Sequence, residues 1–181
     1  NTLSGIEISE QESIGLVASS QWAKDGRGWG LAGRTPWVPE DIASMSIGQM
    51  VVQVTPIQIA KAYAAIANGG YLVTPYLTKK NDEFLSDQSI MKLDIDPKHI
   101  QLIKNGLRKV VESGTGVAMN TGVTNLPPVS GKTGTAEDWK TGLDHAWFVC
   151  FTPSEKSELL VVAFAQNTPG GGSVKALPMA K

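Results

Sequence analysis

The chain has almost no cysteine and almost no histidine. Cys150 is its only cysteine, so no internal disulfide forms and no thiolate metal cluster has an anchor. His99 and His145 are the only histidines, too few for most catalytic zinc sites. Long apolar runs are missing too. The longest, Leu159 to Ala165, falls far short of the roughly 20 residues that span a bilayer. No charge of one sign dominates: 16 basic and 17 acidic residues leave a net charge of −1. A general nucleic-acid or anionic-membrane binder carries a basic excess, and this chain has none. Nor is there a signal-peptide pattern at the start. A single thiol leaves the redox compartment open.

What is present is an ordinary globular balance, 41% hydrophobic and 18% charged over 181 residues. That composition supports a buried core and argues against disorder. The first residue is Asn1, not methionine, so we expect a piece of a longer polypeptide, with any export signal or anchor upstream.

Residues 1 to 40 show no sustained periodicity. Glycines and prolines punctuate them around Trp22, Trp29 and Trp37, which reads as a long connection pinned by aromatic anchors. A groove lip is the functional alternative. Order begins at Thr55, where Thr55 caps, Pro56 has its φ preset and Gln58 completes a capping box. Ile59, Ala62, Tyr63 and Ile66 then fall at helical spacing until Asn68-Gly69-Gly70. Tyr71 to Thr78 is β-rich but broken by Pro75, the mark of an edge strand. Lys79 to Ser89 reads as a solvated loop. A second helix opens at Asp96-Pro97 and closes at Gly114, with Ile100, Ile103, Leu107, Val110 and Val111 as its buried stripe. The rest predicts a β meander: Val129 to Glu137, Asp144 to Thr152 and Glu158 to Gln166. The middle strand is apolar on both faces, as a covered central strand must be. Gly170-Gly171-Gly172 predicts a flexible break before a short C-terminal helix.

The chemistry concentrates in Ser130-Gly131-Lys132-Thr133-Gly134-Thr135. Glycines around a lysine let another backbone or a ligand come close. Lys132 supplies a positive charge, and Thr133 and Thr135, two apart on a strand, turn their hydroxyls to one face. Free N–H groups on such an edge donate to a developing oxyanion. Together these suit a substrate carboxylate beside a carbonyl under attack. A plain Gly-rich turn into a strand is the bland alternative.

Other segments stand in order around it: Ser46-Ile47-Gly48-Gln49, Val54-Thr55-Pro56-Ile57-Gln58, Ala64 to Gly70, Gly114-Thr115-Gly116, Lys132 to Glu137 and His145-Ala146-Trp147-Phe148. This ordered set resembles the C-terminal part of the transpeptidase domain of a class B penicillin-binding protein, of the elongation or division type. The resemblance implies an α+β fold, an antiparallel sheet flanked by helices, shared with serine β-lactamases and incomplete in this chain. It implies serine acyl transfer that cross-links peptidoglycan and is blocked by β-lactams. Under it, Lys132 helps position the hydroxyl network, and Thr133 and Thr135 bind the carboxylate of the D-Ala-D-Ala donor. The Thr135 N–H gives half the oxyanion hole, worth about 3 kcal/mol. Gly134 permits the close approach. Trp139, in the hairpin beyond, is expected to line the groove.

The chain departs from the family's pattern at two points, Met50 and Cys150, where glycine is common in the family. The larger departure is that its Ser-x-x-Lys and Ser-x-Asn motifs belong to an upstream segment. No Ser-x-Asn occurs in this chain, and Ser89-Ile90-Met91-Lys92 has the letters of the other motif in the wrong order and context. The implied partners are peptidoglycan stem peptides, β-lactams, the upstream part of the same polypeptide and other cell-wall synthesis proteins, with no nucleic acid, cofactor or metal. The implied location is the periplasmic face of a bacterial inner membrane. A non-catalytic β-lactam- or peptide-binding module is the alternative, and a β-lactamase or sensor relative is a weaker third. His145 reads as a packing or hydrogen-bonding residue rather than a base. Glu40, Asp41 and Glu137 read as isolated carboxylates.

Overall fold

A computed structural model describes residues 3–24, 37–49, 52–78, 90–120, 125–138 and 140–181. A 3-10 turn (Ser9–Gln11) leads into strand β1 (Leu16–Val17) and helix α1 (Ser20–Lys24), and α2 (Pro39–Ser46) and β2 (Val52–Gln53) follow. Next come α3 (Pro56–Ala67), β3 (Tyr71–Leu72), β4 (Met91–Lys92) and α4 (Pro97–Ser113). A second 3-10 turn (Val117–Asn120) precedes β5 (Ser130–Asp138), β6 (Leu143–Thr152), β7 (Leu159–Thr168) and α5 (Ala176–Met179).

The sheet is antiparallel in the order β5-β6-β7, with helices packed against it, as expected for an α+β fold. β6 lies in the middle because both of its faces are apolar. Phe148, Cys150 and Ala146 point into one core with Val111, Met119, Ala176 and Leu177. Phe151 points into a second, with Ala67 of α3 and Leu107 of α4. Alternation along one strand thus feeds two cores. α4 belongs to both, through Leu107 and Val111.

The capping signals act as the sequence predicts. Thr55 Oγ1 accepts from the Gln58 N–H at 3.3 Å, while Gln58 Oε1 accepts from the Thr55 N–H at 2.9 Å. Asp96 caps α4 by accepting from the Lys98 N–H at 2.8 Å. The predicted stripe of α4 needs correction, however. The buried positions are Ile100, Lys104, Leu107 and Val111, whereas Ile103 is 45% exposed and Val110 half-buried. Lys104 takes the core register because its ammonium reaches two main-chain carbonyls, Ala67 O at 3.3 Å and Glu155 O at 3.1 Å.

Three other expectations change. The first 40 residues are not a plain connection, since they hold β1, α1 and the start of α2. Helix α2 escapes a periodicity reading because Asp41 is its only buried residue. Pro39 in its first turn, with the Asp41 carboxylate accepting from the Val38 N–H at 3.0 Å, was its available signal. The Tyr71–Thr78 strand shrinks to β3, and its partner β4 lies just beyond the expected 79–89 loop. The glycine run after β7 is no flexible break. A Cβ on Gly172 would collide with the Trp147 carbonyl and the Gly134 backbone, so the segment lies flat on the sheet. Trp29, Met50, Ser89, the 79–89 loop and Trp139 fall outside the described residues.

Candidate active site

β5 is an edge strand, and no other strand pairs with its outer side among the described residues. Thr133 is registered with Phe148 and Thr135 with Ala146, so the two threonines share a face, as alternation predicts. Lys132 and Gly134 are registered with Val149 and Trp147, on the opposite face. The lysine nevertheless reaches the edge: it is exposed, and its Nζ donates to the Thr133 carbonyl at 2.7 Å. Gln49 Nε2 donates to the Thr135 carbonyl at 3.3 Å. A side chain of the strand itself thus reaches the Thr133 carbonyl, and one from beyond the sheet reaches that of Thr135. In a strand, a residue's N–H and C=O point to the same side. The Thr135 N–H therefore shares the open edge with its carbonyl.

Both hydroxyls have partners. Thr133 Oγ1 lies 2.7 Å from Thr115 Oγ1. Thr135 Oγ1 accepts from the Gly172 N–H at 3.2 Å, which leaves its own hydrogen for another acceptor. The edge thus offers an ammonium, hydroxyl hydrogens and a main-chain N–H within one short stretch. That set of donors suits an anionic group beside a polarised carbonyl.

The structure brings together Lys132, Thr133, Gly134 and Thr135, the residues the sequence singled out. Gly134 has a clear internal reason to be small, since a Cβ there would lie 3.2 Å from Trp147 Cβ. Sequence reasoning assigned no role to Gln49, Thr115 or Gly172, although all three lie in segments it noticed. Gln49 is fixed from behind as well. Gly48 turns left-handed at φ +76 after α2, and the Gln49 N–H donates to the Ser44 carbonyl at 3.0 Å.

The lesser candidates take structural places. His145 Nδ1 accepts from the Asn167 N–H at 3.3 Å, beside an irregularity in the β6–β7 register, and its ring stands edge-on to Phe164. Hydrogen bonds from the Lys140 N–H and the Thr141 hydroxyl hold the Asp138 carboxyl below the usual range. Cys150 is buried in β6, and burial pushes its thiol up to about 11. A cavity of about 270 Å³ lies between the N-terminal segment and α3, lined by Leu3, Ile14, Leu16 and Lys61. None of the β5 residues lines it.

Comparison with known proteins points the same way as this geometry. The family described as penicillin binding protein transpeptidase domain matches residues 11–181. Peptidoglycan D,D-transpeptidase MrdA of Haemophilus influenzae is 30% identical over 98% of this chain, which spans 29% of that protein's length. A chain in a solved peptidoglycan synthase complex, described as coordinating polymerization and crosslinking, is 33% identical with a TM-score of 0.77, over 98% of this chain and 29% of that one. Penicillin-binding protein A of M. tuberculosis, solved as an imipenem acyl-enzyme, is 27% identical with a TM-score of 0.66, over 82% of this chain and 34% of that one.

Proposed function

Because this chain belongs to the penicillin-binding protein transpeptidase family, we propose that it forms one wall of a peptidoglycan D,D-transpeptidase active site. An upstream segment of the same polypeptide would complete the site with the Ser-x-x-Lys nucleophile and the Ser-x-Asn motif. The observation that carries the reading is the open edge of β5. Its Lys132 ammonium, its threonine hydroxyls and its outward Thr135 N–H stand together there.

In this reading the terminal carboxylate of a D-Ala-D-Ala stem peptide receives hydrogen bonds from Thr133 and Thr135. The serine hydroxyl attacks the penultimate carbonyl, whose oxygen gains charge next to the Thr135 N–H. The C–N bond breaks, the terminal D-Ala leaves as the amine after taking up a proton, and an acyl-enzyme remains. An amine of a second stem peptide attacks that ester, restores the serine and forms the cross-link. A β-lactam presents a carboxylate and a strained amide in the same relation, so it acylates the same serine. Lys132 holds the hydroxyl network through its charge, and Trp139 lines the groove beyond the hairpin. The enzyme would work at the periplasmic face of the inner membrane with other cell-wall synthesis proteins. The relative solved in a synthase complex supports that setting.

Intact-mass measurement after exposure to a fluorescent penicillin tests the proposal. This chain alone should take up no adduct, whereas the polypeptide with its upstream segment should take up one per molecule. Failure of the longer polypeptide to label, with reversible binding retained, would favour a non-catalytic binding module. An adduct on Ser89 of this chain would overturn the division of labour between the two segments.

A further inference from the structure

We propose that Thr115 is a positioning residue that orients the Thr133 hydroxyl for carboxylate recognition, an inference resting on the transpeptidase reading above. Thr115 stands between two glycines at the end of α4, and both are pressed onto the helix. The Gly114 and Gly116 N–H groups donate to one acceptor, the Val110 carbonyl, at 3.1 and 2.9 Å. A Cβ on Gly114 would lie 2.9 Å from Val110 Cα, and one on Gly116 would lie 3.2 Å from both Val110 Cγ1 and its carbonyl oxygen. A side chain at Gly114 would force this fold-back apart, and one at Gly116 would press on Val110. The Asn120 side chain holds the following turn by donating to the Val111 carbonyl at 2.7 Å. Thr115 is left facing β5, with its hydroxyl 2.7 Å from that of Thr133.

Stability explains little of this contact. Thr115 is exposed and the hydroxyl pair is open to solvent, so water would satisfy either group almost as well. The gain is orientation. A lone threonine hydroxyl rotates to suit its surroundings, whereas a paired one has its hydrogen direction restricted. Two hydroxyls spend one hydrogen on each other and keep one for an outside acceptor. The pair therefore presents a single, aimed donor, and an anion meeting it loses less entropy on binding. Thr135 is set in the same way from the other side by Gly172.

The test uses the polypeptide carrying both this chain and the serine nucleophile. Acylation rate constants are measured for a penicillin and for its methyl ester, which lacks the anionic acceptor. Wild type should prefer the free acid. Thr115→Val should cut that preference about fivefold, the change expected when the Thr133 hydroxyl keeps its hydrogen but loses its fixed direction. Thr115→Ser should restore it, and Thr115→Val added to Thr133→Val should lower it no further. Thr115→Ala removes the hydroxyl without a new methyl and reads the same ratio if the valine variant folds poorly. An unchanged preference in Thr115→Val or Thr115→Ala overturns this inference alone, as does its loss in Thr115→Ser. No acylation of the wild type overturns the proposed function instead.

Discussion

Two lysines use the same bond for opposite ends. Lys104 and Lys132 both donate from Nζ to main-chain carbonyls, the first to Ala67 and Glu155, the second to Thr133. Lys104 is 8% exposed and closed in by α3, α4 and the turn after β6. An ammonium in that setting is tolerated only because the last turn of α3 leaves a carbonyl free and the turn supplies another. Lys132 stands on an open strand edge with its charge in water. An enclosed lysine is a structural cross-tie, and an open one at a sheet edge is a group waiting for a partner. What separates them is room for a visitor, not the chemistry of the side chain.

The sharpest way to break this contrast is to remove each lysine in turn. In the polypeptide that also carries the serine nucleophile, Lys132→Ala should slow acylation by a fluorescent penicillin by about two to three orders of magnitude. Its unfolding midpoint should move by less than about 2 °C, because an exposed side chain contributes little to stability. Lys104→Met should do the reverse. It leaves the Ala67 and Glu155 carbonyls without their donor and should cost about 2 kcal/mol in urea unfolding, with the folded fraction still labelled. If Lys104→Met slowed labelling and Lys132→Ala unfolded the chain, the contrast would be void.

Smaller effects sharpen it. Gln49→Glu replaces a donor to the Thr135 carbonyl with an oxygen that repels it, and acylation should slow about fivefold with little change in unfolding midpoint. Cys150 offers a reporter on the enclosed side. Its folded thiol holds its proton to about 11, against 9.0 when unperturbed. The folded state then binds more protons than the unfolded one between those values, so stability should fall as pH rises from 9 towards 11. Below pH 9 both states are protonated and the effect vanishes. Comparing wild type with Cys150→Ala by urea unfolding at pH 8 and pH 10.5 isolates the thiol's share: the alanine variant should lose less stability over that interval, keeping the part due to Tyr63, whose hydroxyl burial also pushes up.

Much of the site strand was legible. Lys132, Thr133 and Thr135 were found because glycine and lysine in a β-rich stretch are locally conspicuous, and β6 because its two apolar faces demand cover on both sides. Helix α2 was hidden because it buries only Asp41, so no stripe marks it. Lys104 was hidden because a charged residue at a core register looks like an error until its two carbonyl acceptors are seen. The glycine run after β7 was misread for a related reason. Glycine signals freedom when nothing lies nearby, yet here the sheet backbone fills the space a Cβ would need.

By itself the sequence determined the caps at Thr55 and Asp96, the meander and the strand that carries the donors. These depend on neighbours a few residues apart, whose geometry the backbone imposes directly. Only tertiary structure decided which groups meet that strand: Thr115 from 18 residues away, Gly172 from 37 and Gln49 from 86. Such meetings are set by how helices and sheet pack around shared cores, and no local pattern of residue types encodes that packing.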